Sequence, residues 1–162
     1  MNKVYILIGG NLGNKYTNLQ SAKEFLEKEI GNIEALSSIY ETAAWGNNNQ
    51  PNFYNQVLII KTKFSAEKIM EKILKIETVM GRIRTEKNAA RLIDIDILFF
   101  NDETINQKNL VIPHPEISNR RFVLIPLNEL SPELYHPVLH KTISQLLATC
   151  KDELEVNLLE TV

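Results

Sequence analysis

The sequence has little cysteine and no long apolar run, and each shortage excludes a class of protein. Cys150 is the one cysteine in 162 residues, and no histidine lies at metal-ligand spacing from it. An internal disulfide and a cysteine-based zinc site are therefore excluded. The apolar run from Val4 to Ile8 has five residues, too few for a signal-peptide core or a membrane span. We therefore expect a cytoplasmic protein that does not enter a membrane.

An excess of charge of one sign is also missing. The chain has 18 basic and 20 acidic residues, with a formal net charge of -2. This balance does not favour nucleic acid or another highly charged surface as a partner. The hydrophobic content of 44% is enough for one ordinary core. We expect a single domain over residues 1–162, present as a monomer.

Common nucleotide and hydrolase motifs are absent too. The glycine-rich stretch Gly9 to Gly13 lacks the Lys-Ser/Thr ending with which a P-loop grips phosphate. There is no serine–histidine–acid order of a hydrolase. The sequence therefore does not indicate a Walker-type nucleotide site or a serine hydrolase.

What is present is an alternation of strand-like and helix-like apolar patterns. In chain order, the patterns predict a strand at 4–8, a helix at 16–30, strands at 33–42 and 53–63, a helix between Ser65 and Gly81, a strand at 92–100 and a last helix at about 142–148. Gly31 is predicted to end the first helix in a left-handed conformation. The polar segment 45–51 is longer than a hairpin requires, which indicates a functional loop.

The order strand, helix, strand, strand, helix, strand predicts an α+β fold. It is the order of the ferredoxin-like αβ sandwich, an antiparallel sheet with helices on one face. The C-terminal third is expected to add further helices. We expect the other face of the sheet to be left for a ligand.

Two aspartates lie on one face of the strand predicted at 92–100. Alternation sends Ile93, Ile95 and Ile97 to one side and Asp94 and Asp96 to the other. Neighbouring carboxylates repel each other and need a counter-charge, which a hard cation with oxygen ligands supplies. The pair predicts a magnesium site. For an isolated pair, the commoner alternative is a half-buried strand with acids on its solvent face.

Basic residues are concentrated just before these aspartates, at Arg82, Arg84, Lys87 and Arg91. Cationic side chains beside magnesium-binding carboxylates are typical of polyphosphate sites, because they bind the phosphate oxygens that the metal does not. We therefore expect residues 82–91 to form a lid over a nucleotide. The alternative is a solvated loop with surface ion pairs.

Residues Lys87 to Leu98 resemble the signature of the 6-hydroxymethyl-7,8-dihydropterin pyrophosphokinase family. That signature runs basic, any, two small, Arg, two residues, Asp, aliphatic, Asp and two aliphatics, and the sequence matches it throughout. The resemblance reaches to about Pro132. Its other matches are Gly9 to Gly13, Tyr40 to Thr42, Gln50-Pro51, Asn55, Glu77, Gly81 to Arg84, Val111 to His114 and Asn119 to Phe122.

The resemblance implies an ATP-dependent diphosphotransferase of folate biosynthesis. The implied reaction moves the diphosphoryl group of ATP to the hydroxymethyl group of 6-hydroxymethyl-7,8-dihydropterin and gives AMP. ATP is the implied co-substrate, two Mg²⁺ ions are the implied metals, and nucleic acid and membrane have no part. The alternative is a non-catalytic ligand-binding or regulatory domain on a similar scaffold.

The resemblance also implies roles for individual residues. Asp94 and Asp96 would bind the metal ions and act in catalysis with Arg82 and Arg91. The implied nucleotide-binding residues are Glu77, Arg82, Arg84, Arg91, Ile97, His114 and Arg120. The implied pterin-binding residues are Thr42, Ala43, Trp45, Phe53, Asn55, Asp94 and Phe122. Two aromatic rings would stack on the pterin, and Asn55 would bond its polar edge.

Several positions depart from the family pattern. Residues 88–90 are Asn-Ala-Ala where Trp-Gly-Pro is common. Phe53 replaces a tyrosine, Leu74 a glutamine and Gly10 a serine. The closing contacts of the basic loop are therefore expected to differ, and contacts to the nucleotide base are less well specified than those to the phosphates.

Overall fold

The computed structural model describes residues 1–44, 49–81 and 92–160. The strands are β1 Asn2–Gly10, β2 Asn32–Leu36, β3 Ile39–Thr42, β4 Phe53–Thr62, β5 Asp94–Phe100, β6 Ile105–Gln107, β7 Leu110–Ile112, β8 Tyr135–His136, β9 Lys141–Thr142 and β10 Val156–Glu160. The helices are α1 Lys15–Glu29, α2 Ala66–Val79, α3 Arg121–Leu130 and α4 Ile143–Thr149, with a 3₁₀ turn at Ile117–Asn119. Among the helices within these ranges, none has the length and apolar character needed to cross a bilayer.

The main sheet is antiparallel throughout. Its strand order is β10-β3-β4-β1-β5, and β2 also pairs with β4. The long ladder between β1 and β4 runs from Asn2 opposite Thr62 to Gly10 opposite Tyr54. The hairpins β6–β7 and β8–β9 form separate two-stranded sheets. The predicted mixture of helices and an antiparallel sheet is therefore confirmed.

Local capping explains where the first two helices begin. The side chain of Asn14 accepts a hydrogen bond from the Thr17 amide at 3.0 Å and so caps α1. Ser65 caps α2 in the same way, through the Lys68 amide at 3.2 Å. The prediction that Gly31 is left-handed is wrong, because only Gly13 and Gly81 among the described glycines have a positive φ. Gly31 is instead required by close approach, since a Cβ there would collide with the Lys61 carbonyl oxygen.

Helices cover both faces of the sheet. On one face, α1 and α2 pack on alternate residues of the central strands, including Ile6, Leu58 and Ile97. On the other face, α3 and α4 pack on Leu7, Ile59 and their neighbours. The prediction that this second face is left for a ligand is therefore too broad. On this face a cavity opens beyond the N-terminus of α3.

The strand predicted over 33–42 is interrupted between β2 and β3. Ser37 and Ser38 lie at the interruption, and both are buried. The Ser37 hydroxyl accepts from the Val57 amide at 2.9 Å, and the Gln56 carboxamide donates to the Ser37 carbonyl at 2.7 Å. Glu129 of α3 accepts from the Ser38 amide and from the Tyr40 hydroxyl. Side chains thus replace part of the regular backbone ladder at this point.

Candidate active site

A cavity opens where β1, β3, β4 and β5 meet the beginning of α3. Its lining residues are Leu7, Gly9, Thr42, Ala43, Phe53, Asn55, Asp94, Asp96, Arg120 and Phe122. These residues come from distant parts of the chain, and the sheet register brings them together. Apart from Trp45, which lies outside the described residues, every predicted pterin-binding residue lines this cavity.

Asp94 and Asp96 lie on the cavity side of β5. Opposite them on β1 are Gly9 and Leu7, which line the same cavity. The intervening Ile95 is 2% exposed and packs on the other side of the sheet with the α1 and α2 core. The alternation predicted for this strand is therefore confirmed.

The backbone between the two aspartates is held by Glu77 of α2. The Glu77 carboxylate accepts a hydrogen bond from the Ile95 amide at 2.8 Å, and its side chain is 3% exposed. Ile97 is also buried in the core formed with α1 and α2. The predicted nucleotide contact of Ile97 is thus limited to its backbone, and the nucleotide roles of both residues stay predictions.

Asn55 is held in a fixed orientation within the cavity lining. Its carboxamide nitrogen donates to the Thr42 hydroxyl at 3.2 Å, and both residues are buried. Its carboxamide oxygen lies so close to Gly9 that a Cβ there would collide with it. Position 9 therefore requires glycine, because any side chain there would displace the Asn55 carboxamide. The cavity then presents both a donor and an acceptor at a defined place.

The first turn of α3 supplies the opposite side of the cavity. Arg120 is the N-cap residue, and its guanidinium lies 5.7 Å from the centre of the Phe122 ring. Both side chains are half-buried. The cavity therefore has an aromatic surface from Phe53 of β4, a second one from Phe122, and a cation beside the second.

His114 lies beside β5 but outside this cavity. Its backbone amide donates to the Leu98 carbonyl at 3.0 Å, and its Nδ1 accepts from the Glu116 amide at 3.1 Å. Burial lowers the pKa of the His114 ring, and the Arg120 guanidinium lowers it further, whereas Glu116 and Asp94 act in the opposite direction. Since Nδ1 is an acceptor, the neutral ring carries its proton on Nε2.

The chemistry of the carboxylates fits a magnesium site that is completed by a substrate. Over residues 1–44, 49–81 and 92–160, no group of three or more histidine, cysteine, aspartate or glutamate side chains is placed to hold a metal ion. Mg²⁺ is commonly bound by one or two carboxylates together with substrate phosphates and water. Asp94 and Asp96 meet that description and do not resemble an all-protein metal cage.

The predicted site residues and the residues that line the cavity are not the same set. Arg82, Arg84, Lys87 and Arg91 lie outside the described residues, as does Trp45. Leu7 and Gly9 line the cavity but were not among the predicted site residues. Leu7 pairs with Asp96 and Gly9 with Asp94 across the sheet. This pairing would have identified both residues, but it depends on strand register, which the sequence pattern did not predict.

Comparisons with known proteins give a consistent result. A family model described as 7,8-dihydro-6-hydroxymethylpterin-pyrophosphokinase (HPPK) matches residues 5–132. The 2-amino-4-hydroxy-6-hydroxymethyldihydropteridine pyrophosphokinase of Aquifex aeolicus is 41% identical over 145 residues, which cover 90% of each chain. The Synechocystis protein of the same name is 38% identical and covers 86% of this chain and 72% of its own.

Longer proteins match as well. Folic acid synthesis protein FOL1 of Dictyostelium discoideum is 37% identical over 90% of this chain, which spans only 22% of that protein. The crystal structure of Plasmodium falciparum HPPK-DHPS with SDX-DHP has a TM-score of 0.76 at 24% identity. It covers 91% of this chain, which spans 43% of the Plasmodium chain. The match to this structure shows a shared fold. The family resemblance inferred from Lys87 to Leu98 is thus confirmed, and the chain belongs to the 7,8-dihydro-6-hydroxymethylpterin-pyrophosphokinase family.

Proposed function

We propose that the cavity at the end of β1 is where this protein carries out the reaction of its family. That reaction transfers the diphosphoryl group of ATP to the hydroxymethyl group of 6-hydroxymethyl-7,8-dihydropterin. The observation that carries the proposal is the position of the β5 aspartates on the lining of a cavity with aromatic and carboxamide groups. Such a cavity suits a flat heteroaromatic ring whose reactive arm points at a phosphate.

The pterin ring lies between Phe53 and Phe122 in this proposal. Stacking on aromatic surfaces binds the ring faces, and Asn55 bonds the amide-like edge. The hydrogen bond from Asn55 to Thr42 supports this assignment, because it orients the carboxamide before a ligand arrives. Ala43 and Trp45 complete the proposed pocket, and Asp94 lies next to the hydroxymethyl arm.

The phosphates lie beside Asp94 and Asp96. Asp94 and Asp96 would hold two Mg²⁺ ions, and the ions would supply positive charge that neutralises the phosphates. We assign Arg82, Arg84, Arg91 and Arg120 to the remaining oxygens. Guanidinium groups suit this task because they donate two parallel hydrogen bonds to one phosphate.

His114 is proposed as a neutral hydrogen-bond donor to the nucleotide. The lowered pKa favours the uncharged ring at neutral pH. The contact from the Glu116 amide to Nδ1 leaves Nε2–H as the donor. Glu77 keeps β5 in place between the two aspartates, and the Ile97 backbone is assigned to the nucleotide.

In the proposed step, the hydroxymethyl oxygen of the pterin forms a bond to the β-phosphorus of ATP. The bond between that phosphorus and the oxygen that bridges to the α-phosphorus breaks. The bridging oxygen leaves with AMP, and the hydroxyl proton passes to solvent water. Positioning and charge neutralisation account for most of the catalysis in such transfers.

The proposal also includes the type of sheet, the number of domains, the oligomeric state and the location of the protein. If β2 and β3 are counted as one interrupted strand, the order β5-β1-β4-β2/β3 is that of a ferredoxin-like sheet. We propose that residues 1–162 form a single domain that acts as a monomer in the cytoplasm. Sedimentation of the protein at working concentration tests the monomer.

A direct assay tests the proposed site. AMP formation is measured from ATP, Mg²⁺ and the hydroxymethyl pterin, for the unmodified protein and for Asp96→Asn. Asp102→Asn is the matched control, because Asp102 lies in the exposed turn after β5. AMP formation that is lost only in Asp96→Asn supports the site. No AMP from the unmodified protein would favour a non-catalytic ligand-binding domain.

A further inference from the structure

We propose that Asp152 is a positioning residue for the pterin site and acts through the first turn of α3. The proposal rests on the assignment of Phe122 to the pterin pocket. Asp152 begins the β10 segment, defined as residues 152–160, which lies outside the range matched by the family model. The segment connects two sides of the cavity that are far apart in the sequence.

Helix α3 begins without a capping side chain of its own. Its N-cap residue, Arg120, makes no side-chain cap hydrogen bond. The Asp152 carboxylate supplies the missing acceptor, because its Oδ2 accepts from the Arg121 amide at 3.0 Å. A carboxylate at this position satisfies a donor that the helix leaves unbonded, and it interacts favourably with the positive end of the helix dipole.

The carboxylate is itself held in place. Its second oxygen accepts from the Leu154 amide at 3.0 Å. The Arg121 guanidinium returns a hydrogen bond to the Leu154 carbonyl at 3.2 Å. Two hydrogen bonds therefore join Arg121 to the β10 segment, one from its amide and one from its guanidinium, and the third holds the Asp152 carboxylate within that segment. Because Arg120 and Phe122 flank that peptide and line the cavity, a displacement of the peptide moves both side chains.

The other end of the segment is tied to the opposite side of the cavity. β10 pairs with β3, and Val156 lies opposite Thr42, the residue whose hydroxyl accepts from Asn55. The far end of α3 is attached separately, through Glu129 to Ser38. Asp152 thus acts on the cavity end of the helix, and its loss is expected to affect ligand binding more than the attachment of the helix.

The test is a double-mutant cycle on pterin affinity. Binding of the hydroxymethyl pterin is measured by calorimetry, in the presence of Mg²⁺ and a non-hydrolysable ATP analogue, for Asp152→Ala, Phe122→Ala and the double variant. We expect Asp152→Ala to lose about tenfold in affinity, the size of one lost helix cap. In the Phe122→Ala background, Asp152→Ala should lower pterin affinity little further, because Asp152 acts through the contact between Phe122 and the pterin.

Two control variants make the outcomes distinct. Glu153→Ala removes the neighbouring exposed acid and should bind pterin normally. Asp152→Asn keeps one acceptor and should recover part of the affinity. It also replaces Asp152→Ala in the cycle if thermal unfolding shows that the alanine variant is not folded. A merely structural role would lower the melting temperature without this pattern.

Unchanged pterin affinity in folded Asp152→Ala, or effects that add fully to those of Phe122→Ala, would overturn the positioning role and leave the proposed pterin site intact. Unchanged affinity in Phe122→Ala would overturn the pterin site itself and this inference with it. Coupled losses that Asp152→Asn partly reverses would support the proposal.

Discussion

The two faces of the sheet are built from the same strands but carry different kinds of residue. The face under α1 and α2 is apolar along the central strands, with Ile95 and Ile97 as examples. The opposite face is apolar under α3 and α4 and becomes polar at the cavity, where Asp94 and Asp96 lie. Because the side-chain period of a strand is two, each aspartate is adjacent in sequence to a core residue. We therefore expect substitutions at neighbouring positions of β5 to affect activity and stability separately.

The largest expected effect comes from the cavity face of β5. We expect Asp94→Ala and Asp96→Ala each to lower turnover by roughly 10³-fold or more, because each removes several kcal/mol of charge neutralisation at the phosphates. The measurement is steady-state AMP formation with Mg²⁺, together with chemical unfolding. The opposite-face control is Ile95→Ala, which should lower the free energy of unfolding by about 2–5 kcal/mol. Near-normal turnover in either aspartate variant would contradict the metal assignment.

Substitutions in the basic loop, residues 82–91, should lower turnover about as strongly as those of Asp94 and Asp96. We expect Arg82→Ala and Arg91→Ala to slow the single-turnover rate by roughly 10³-fold while changing equilibrium ATP affinity much less, because their contacts strengthen as charge moves onto AMP. Rate and affinity are measured on the same variants, with Lys87→Ala for comparison. Equal losses of rate and affinity would make these arginines ordinary binding residues.

A smaller effect is expected at Gly9, the residue of β1 that lines the cavity beside Asn55. Gly9→Ala should weaken pterin binding by about tenfold, or roughly 1.4 kcal/mol, because the new methyl group displaces the Asn55 carboxamide. Pterin affinity is measured by calorimetry for this variant and for Asn55→Ala. In the Asn55→Ala background the glycine change should lose most of its effect. Full additivity would show that Gly9 acts in some other way.

The smallest effect concerns the apolar end of the cavity face. His136 contacts Phe99 there, and its Nδ1 accepts from the Val138 and Leu139 amides. Burial lowers the pKa of the ring below its ordinary value of 6.5, and His140 lowers it further. The folded state therefore binds fewer protons than the unfolded chain as the pH falls below about 6.5. The contribution of His136 to the free energy of unfolding is therefore complete above that pH. It decreases as the pH falls towards the pKa of His136 in the folded state.

Unfolding experiments between pH 5 and 8, roughly the range over which histidine titrates, check this prediction. His136→Asn keeps an acceptor but cannot titrate, so its free energy of unfolding should depend less on pH than that of the unmodified protein. An unchanged pH dependence would contradict the role of His136.

Much of the helix-side face was predictable from sequence. The spacing of apolar residues in α1 and α2, the Ser65 cap and the alternation of Ile95 with the aspartates are local patterns, and the structure contains them. The predicted last helix is present as α4, which Thr142 caps. The interruption at Ser37 and the strand β10 were not predicted, because they depend on partners such as Glu129 and β3.

The cavity shows the same division between local pattern and distant contact. By itself the sequence determined the family, the face on which Asp94 and Asp96 lie, and the residue types suited to a pterin and a polyphosphate. Only the tertiary structure decided that Gly9 leaves room for the Asn55 carboxamide and that Asp152 caps α3. Periodicity acts over one or two turns of chain, whereas these contacts join residues tens of positions apart whose proximity is set by strand register and helix packing.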